Sequence, residues 1–234
     1  MNDELEIETI LSVTSKEFKI YLYDNKNKAI LYKNNLEFEN LNQNIDLNYL
    51  LRFLEENVFK IEKLSARFIK NISLIIESNK SLKSTISLKK KNDQEIINKE
   101  KIEMLLVEAN DLIKENYQNK KILHILIKEF LVDKKNYPIT QKGLSGEYFT
   151  LEIEFILLPN NFILEVDKIF QKFHIRVRKY FDGYYLKNLF GENEIEIPHM
   201  IYKLRTGYNQ NEVVFAPKYQ KKLGFFEKFF QLFS

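Results

Sequence analysis

Carboxylates, imidazoles and glycine turns are the groups through which this chain could do chemistry, and their spacing argues against it. Glu152 and Glu154 stand two apart and alternate with Leu151, Ile153 and Phe155. On a strand that alternation sends both carboxylates to one solvent-facing side, not into a pocket as a general acid and base. His124 lies inside the apolar run Ile122 to Ile127, where a buried histidine satisfied by backbone is expected rather than a proton carrier. Gly143 and Gly146 punctuate a turn, and six glycines in all leave no glycine-rich loop to cradle a phosphate. There is no cysteine, and the three histidines are far apart, so neither a thiolate nor an imidazole metal centre can be assembled. No nucleophile meets a base. The expectation is a protein without catalysis, metal or cofactor.

The elements that must hold these residues follow from periodicity. Glu6 to Val13 and Phe18 to Tyr23 read as strands around a Thr14-Ser15-Lys16 turn, and Asp24 to Asn27 turns into a third strand over Lys28 to Lys33. From Asp46 the period changes: Leu47, Leu50, Leu51, Leu54, Val58, Ile61, Leu64 and Phe68 predict a helix with Asp46 as its cap. Strands over Ile72 to Glu77 and Leu82 to Leu88 follow, then a helix carrying Ile102, Leu105, Leu106, Ala109, Leu112 and Ile113. Ile122 to Val132 and Tyr148 to Leu158 read as long strands joined by a loop with Pro138, Gly143 and Gly146. Pro159-Asn160-Asn161 opens a helix through Ile163, Val166, Ile169, Phe170 and Phe173, before a strand over Ile175 to Tyr180 and a short helix to Phe190. Residues 191 to 220 show little periodicity and read as a linker.

Composition narrows the partners. With 44% hydrophobic and 29% charged residues the chain is expected to fold, and a net charge of +3 gives no reason to invoke nucleic acid. Lys89, Lys90 and Lys91, beside Asn92 and Asp93, read as a solvated turn. The start, MNDELEIE, is acidic where a signal peptide is basic and then apolar. No apolar run reaches the roughly 18 to 20 residues of a spanning helix. The expected location is therefore cytoplasmic.

The end of the chain points to a membrane surface. Five of 19 phenylalanines fall between Phe225 and Phe233. On a helix, Leu223, Phe225, Phe226, Phe229, Phe230, Leu232 and Phe233 fill one half of the circumference, and Gly224, Glu227, Lys228 and Gln231 the other. Lys218, Lys221 and Lys222 precede them. Residues 221 to 234 thus read as an amphipathic helix lying in a bilayer interface, with Lys221 and Lys222 toward anionic headgroups.

Three strands, helix, strand, an insertion, then helix, strand, helix is the plan of a ribonuclease-H-like half-domain, the unit used twice in actin-like folds. The platform comprises residues 1 to 79 and 160 to 190, and residues 80 to 159 form a strand–helix–strand–strand α+β insert in an otherwise mixed α/β sheet fold. The segments Ile122-Leu123-His124-Ile125-Leu126, Glu129-Phe130-Leu131-Val132-Asp133 and Gly143-Leu144-Ser145-Gly146 resemble the inserted subdomain of the bacterial cell-division protein FtsA. Ile127 and Gln141 stand where that family has prolines; Ile195-Glu196-Ile197-Pro198 and the C-terminal amphipathic helix also resemble it. In the family the first strand enters an Asp-x-Gly-Thr phosphate motif. Aligned on Thr14-Ser15-Lys16, this chain has Leu11 for the Asp and Val13 for the Gly, losing a magnesium-holding carboxylate and the close backbone approach. The second half-domain, which bears the other phosphate loop in the family, is not expected in the residues after Phe190.

The resemblance implies a non-catalytic peripheral adaptor of the divisome, on the inner face of the cell membrane at the division site. Its contacts, including self-association, would run through the insert, with the loop Lys142, Gly143, Leu144, Ser145, Gly146 and Tyr148 as the interaction surface. The family binds FtsZ chiefly through the missing half, so direct FtsZ binding is not expected. The alternative is a structural or regulatory component of pilus or envelope assembly, since a pilus-assembly relative shares the actin-like plan with this insert.

Overall fold

β1 (Ile7–Val13), β2 (Glu17–Asp24) and β3 (Ala29–Glu37) form an antiparallel meander in the computed structural model, which describes residues 7–39, 44–191 and 195–214. α1 (Leu47–Ser65) follows, its first turn capped by the Asp46 carboxylate, which accepts the amides of Asn48 and Tyr49 at 2.9 and 3.1 Å. β4 (Asn71–Ile76) then runs parallel to β1. After the segment containing β5 (Leu82–Lys91), α2 (Lys99–Asn116), β6 (Lys120–Val132), β7 (Lys135–Asn136) and β8 (Tyr148–Pro159), the chain returns through α3 (Asn160–Gln171) to β9 (Arg176–Asp182), parallel to β4. α4 (Gly183–Phe190) and α5 (Ile197–Arg205) complete the described elements. Two compact units result: residues 1–81 with 158–206, and residues 82–157 with the segment beginning at Gly207.

The first unit holds one mixed sheet of order β3-β2-β1-β4-β9. An antiparallel meander extended on its β1 side by two parallel strands is the ribonuclease-H-like sheet of an actin-like half-domain. One face carries Leu11, Val13, Ile20 and Leu74, all buried, and receives α1 and α3. Asn57 interrupts the apolar stripe of α1 yet is fully buried. Its Oδ1 accepts from Tyr32 Oη at 2.8 Å and Asn34 Nδ2 at 2.7 Å, and its Nδ2 donates to Phe53 O at 2.6 Å. A buried amide so satisfied sets the register of α1 on β3. On the same face Tyr180 donates its hydroxyl to Asp167 of α3.

The opposite face mixes buried Ile10, Ile75 and Phe181 with a polar cluster that α5 covers. Glu8, 3% exposed, accepts from Ser73 Oγ at 2.5 Å and from Arg205 Nη2 at 2.7 Å. Arg205 also donates through Nη1 to the other Glu8 oxygen and through Nη2 to Ser73 Oγ at 2.7 Å. The guanidinium carbon lies 5.9 Å from the Phe181 ring centroid. Residues 191 to 220, expected as a linker, therefore hold a helix in their described part. Pro198 sits in its first turn, and Met200, Ile201 and Leu204 are buried at helical spacing.

The second unit has a sheet of order β5-β8-β6-β7. β5 pairs antiparallel with β8 from Leu82–Leu157 to Lys91–Tyr148. Leu151, Ile153 and Phe155 face the α2 residues Ile102, Leu105, Leu106, Ala109 and Ile113 in one core. The expected lysine turn is instead the end of β5. Lys89 lies over the Tyr148 ring at 4.1 Å, Lys90 pairs with Glu108 at 2.9 Å and Lys91 with Asp93 at 2.6 Å. The edge of β6 is occupied by the segment after Gly207: Ile127 N donates to Asn211 O at 2.9 Å and Val213 N to Ile125 O at 2.8 Å.

Arg205 neutralises a carboxylate that has no access to bulk water. Arg205→Ala should therefore destabilise the first unit by about 3–5 kcal/mol, because Glu8 is left buried and unpaired. Glu8→Met with Arg205→Met should recover most of the loss. Urea unfolding followed by circular dichroism measures both.

Candidate functional site

In open α/β sheets ligands bind beyond the carboxyl ends of the parallel strands. Here β1, β4 and β9 end around a cavity of 570 Å³ whose lining includes Ser12, Thr14, Tyr21, Glu77, Gly183 and Met200. The β1–β2 turn enters it with its amides turned inward. Thr14 Oγ1 accepts from Lys16 N at 3.1 Å and Glu17 N at 2.9 Å, and Thr14 N donates to Glu17 O at 3.0 Å. Leu11 and Val13 are both buried in the core. Gly183 lets β9 pass close to the end of β4, since a Cβ there would stand 2.9 Å from Glu77 Cβ.

Each lysine in the cavity meets a carboxylate. Lys19 pairs with Glu17 at 2.6 Å, Lys187 with Glu77 at 2.5 Å and Lys33 with Glu196 at 2.5 Å. Tyr21 adds its hydroxyl to Glu196 at 3.2 Å. The Lys33 ammonium bonded to it holds the Glu196 carboxyl below the usual carboxylate range. Burial, then the Glu196 charge, pushes the Tyr21 hydroxyl up. Asp182, buried at the end of β9, accepts the Tyr185 amide at 2.8 Å and the Ser81 hydroxyl at 2.5 Å. Three cations are thus matched by three anions. No group of three or more metal-ligating side chains exists among the described residues. Lys33, Lys187 and Glu196 were not singled out by sequence reasoning. Only the Ile195-Glu196-Ile197-Pro198 resemblance touched one of them.

In the second unit His124 is buried, and its Nδ1 meets Glu212 Oε1 at 2.8 Å, a carboxylate partner where backbone was expected. Glu152 and Glu154 are half-buried on the face of β8 away from the core, with Lys83 Nζ 3.9 Å from Glu154. Glu103 on α2 has a buried Oε1 without a hydrogen-bond partner, and burial pushes this carboxyl up to about 7. Lys99 and Glu100 are its charged neighbours, the first opposing that rise and the second adding to it.

The loop from Lys142 to Tyr148 is tied down from both sides. Asp133 accepts the amides of Glu147 at 3.1 Å and Tyr148 at 2.9 Å. Leu144 O accepts Ile97 N at 2.8 Å, and Gly146 O accepts Gln94 N at 3.0 Å. A Cβ at Gly146 would fall 2.5 Å from Val132 Cγ1 and 2.8 Å from Asp133 Oδ2, so only glycine fits. Leu144 packs against the core, whereas Lys142, Gly143 and Ser145 are exposed and Tyr148 is half-exposed. The proposed membrane residues Lys221, Lys222, Leu223, Phe225, Phe226, Phe229, Phe230, Leu232 and Phe233 lie outside the described residues. No described helix is long and apolar enough to cross a membrane.

No protein-family model matches the sequence, and no curated protein matches it. Solved structures do resemble the fold. A PilM–PilN type IV pilus biogenesis complex aligns at 10% identity and TM-score 0.49, covering 76% of this chain and 48% of that one. The cytoplasmic domain of EpsL, an inner membrane component of the type II secretion system of Vibrio cholerae, aligns at 9% identity and TM-score 0.34, covering 80% and 58%. A protein of unknown function with an actin-like ATPase fold from Bacteroides thetaiotaomicron aligns at 12% identity and TM-score 0.33, covering 82% and 62%. The chain spans 48 to 62% of the length of these structures. The first unit's strand order and directions define the fold as ribonuclease-H-like, of the actin-like kind.

Proposed function

We propose that this chain is a non-catalytic scaffold, built on one actin-like half-domain, that works at a membrane surface in an envelope assembly of the pilus or secretion kind. The observation that carries the non-catalytic reading is the self-neutralised cleft. A nucleotide phosphate needs free amides and unmatched cations. Here Thr14 takes the turn amides and each lysine has its carboxylate. Surfaces then remain as the means of action: the insert, with its rigid loop, and the phenylalanine-rich C-terminal segment.

The residues that carry the FtsA resemblance, Asp133 and Gly143 to Gly146, hold the insert's own turn together. They mark the insert, which the pilus-assembly relative of the actin-like family also has, and not the divisome. Division is accordingly the second reading, supported by the resemblance over residues 122 to 146 and by the amphipathic terminus.

Three outcomes follow. Calorimetric titration with ATP and magnesium should show no binding, and a magnesium-dependent micromolar site would overturn the non-catalytic reading. Phe226→Glu or Phe230→Glu should release the protein from anionic vesicles in sedimentation, since each phenyl withdrawn from water contributes up to about 1.5–3 kcal/mol. Deleting the gene should abolish surface appendages or secretion while septa form normally; filamentous cells would favour division instead.

A further inference from the structure

We propose that the turn leaving α1 is a second membrane contact, in which Phe68 enters the interface of an anionic bilayer. The inference rests on the membrane-surface reading only for its choice of partner, because every residue involved belongs to the first unit. Phe68 is 81% exposed, more than any other large hydrophobic side chain among the described residues.

The backbone that presents Phe68 is fastened at several points. Ala66 closes α1 in the left-handed region, at φ 53°. Ser65 Oγ donates to Ile61 O at 2.8 Å, with Arg67 O 3.2 Å from the same hydroxyl. Glu62 Oε1 accepts the Ile69 amide at 3.0 Å, and Lys70 O accepts the Arg176 amide at 3.0 Å. Ile69, next in the chain, is buried. The phenyl ring is therefore held out by a bonded turn, an ordering already made before any partner arrives.

Its surroundings are cationic. From Lys60 to Lys70 the chain carries Lys60, Lys63, Arg67 and Lys70, all exposed, against Glu62, whose carboxylate is engaged by Ile69. Beside the turn lies a groove of 460 Å³ lined by Ile7, Leu22, Arg67, Phe68, Ile69 and Lys70 among others, with no carboxylate in its wall. A basic residue in the last helical turn complements the helix carbonyls, which accounts for Lys63. It does not account for Arg67 and Lys70 beyond the helix, or for an aromatic between them. An exposed aromatic flanked by cations suits an anionic interface, where the ring enters the headgroup boundary and the cations meet phosphates.

The chain contains no tryptophan, so Phe68→Trp in the full chain is a single fluorescent reporter at an exposed site. Vesicles mixing phosphatidylglycerol with phosphatidylcholine should shift its emission to the blue, and bromine-labelled acyl chains should quench it. Vesicles of phosphatidylcholine alone should do neither. Arg67→Gln and Lys70→Gln on the reporter should each weaken the response about fivefold, as expected for one lysine or arginine near an anionic surface. Emission that stays put while the protein co-sediments overturns the proposal and leaves the membrane-surface reading standing. A blue shift that grows with protein concentration without vesicles assigns the turn to a protein contact and also overturns it. Failure of the parent chain to sediment with vesicles overturns both.

Discussion

The Glu8–Arg205–Ser73 cluster is the constraint from which much of the first unit follows. A carboxylate in the middle of a sheet face must be paired or it destabilises the fold, and the partner comes from the last turn of α5, 197 residues along the chain. Fixing Arg205 fixes α5 across β1, β2 and β4. Glu196 at the other end of that helix is then placed against Lys33 and Tyr21. The buried Glu8 cluster and the Lys33–Glu196 pair are two consequences of one docked helix.

The cleft at the strand ends is closed by its own side chains and backbone. Leu11 and Val13, at the end of β1, both pack into the core. The turn that would cradle an anion bonds to its own threonine. The three lysine pairs are partly solvent-exposed, so each contributes little to stability. Their effect is on recognition: an incoming anion would have to displace a carboxylate before gaining a cation.

Periodicity made most of the scaffold legible. Alternation located β1, β2 and β8, and the three-to-four spacing located α1, α2 and α3. The misreadings have definite causes. Lys89 to Lys91 looked like a turn because charge was weighed above alternation, yet the half-buried series Leu82, Ser84, Ile86 and Leu88 continues to Lys90. α5 falls in the expected linker, although Pro198 in its first turn and Met200, Ile201 and Leu204 at helical spacing are a readable signal. Phe68 continues the apolar spacing of α1, but the helix ends at Ser65 and the ring turns outward. The ion pairs were not legible at all. Lys33–Glu196 and Glu8–Arg205 join residues 163 and 197 positions apart, and no local pattern specifies such a partner.

The insert shows why its sequence pattern is recognisable. Asp133 must accept two amides of the loop, and Gly146 must lack a Cβ because Val132 and Asp133 leave no space. Gly143, at φ 75°, needs glycine for its backbone alone, since nothing would contact a Cβ there. Few other residues satisfy those demands, so the pattern records the geometry of a turn. The edge of β6 obeys a different constraint. Unpaired strand edges invite association, and here Asn211 and Val213 pair with that edge while Glu212 reaches His124. That buried histidine–carboxylate contact holds the chain at Glu212 against the insert, immediately before the segment that carries the phenylalanines.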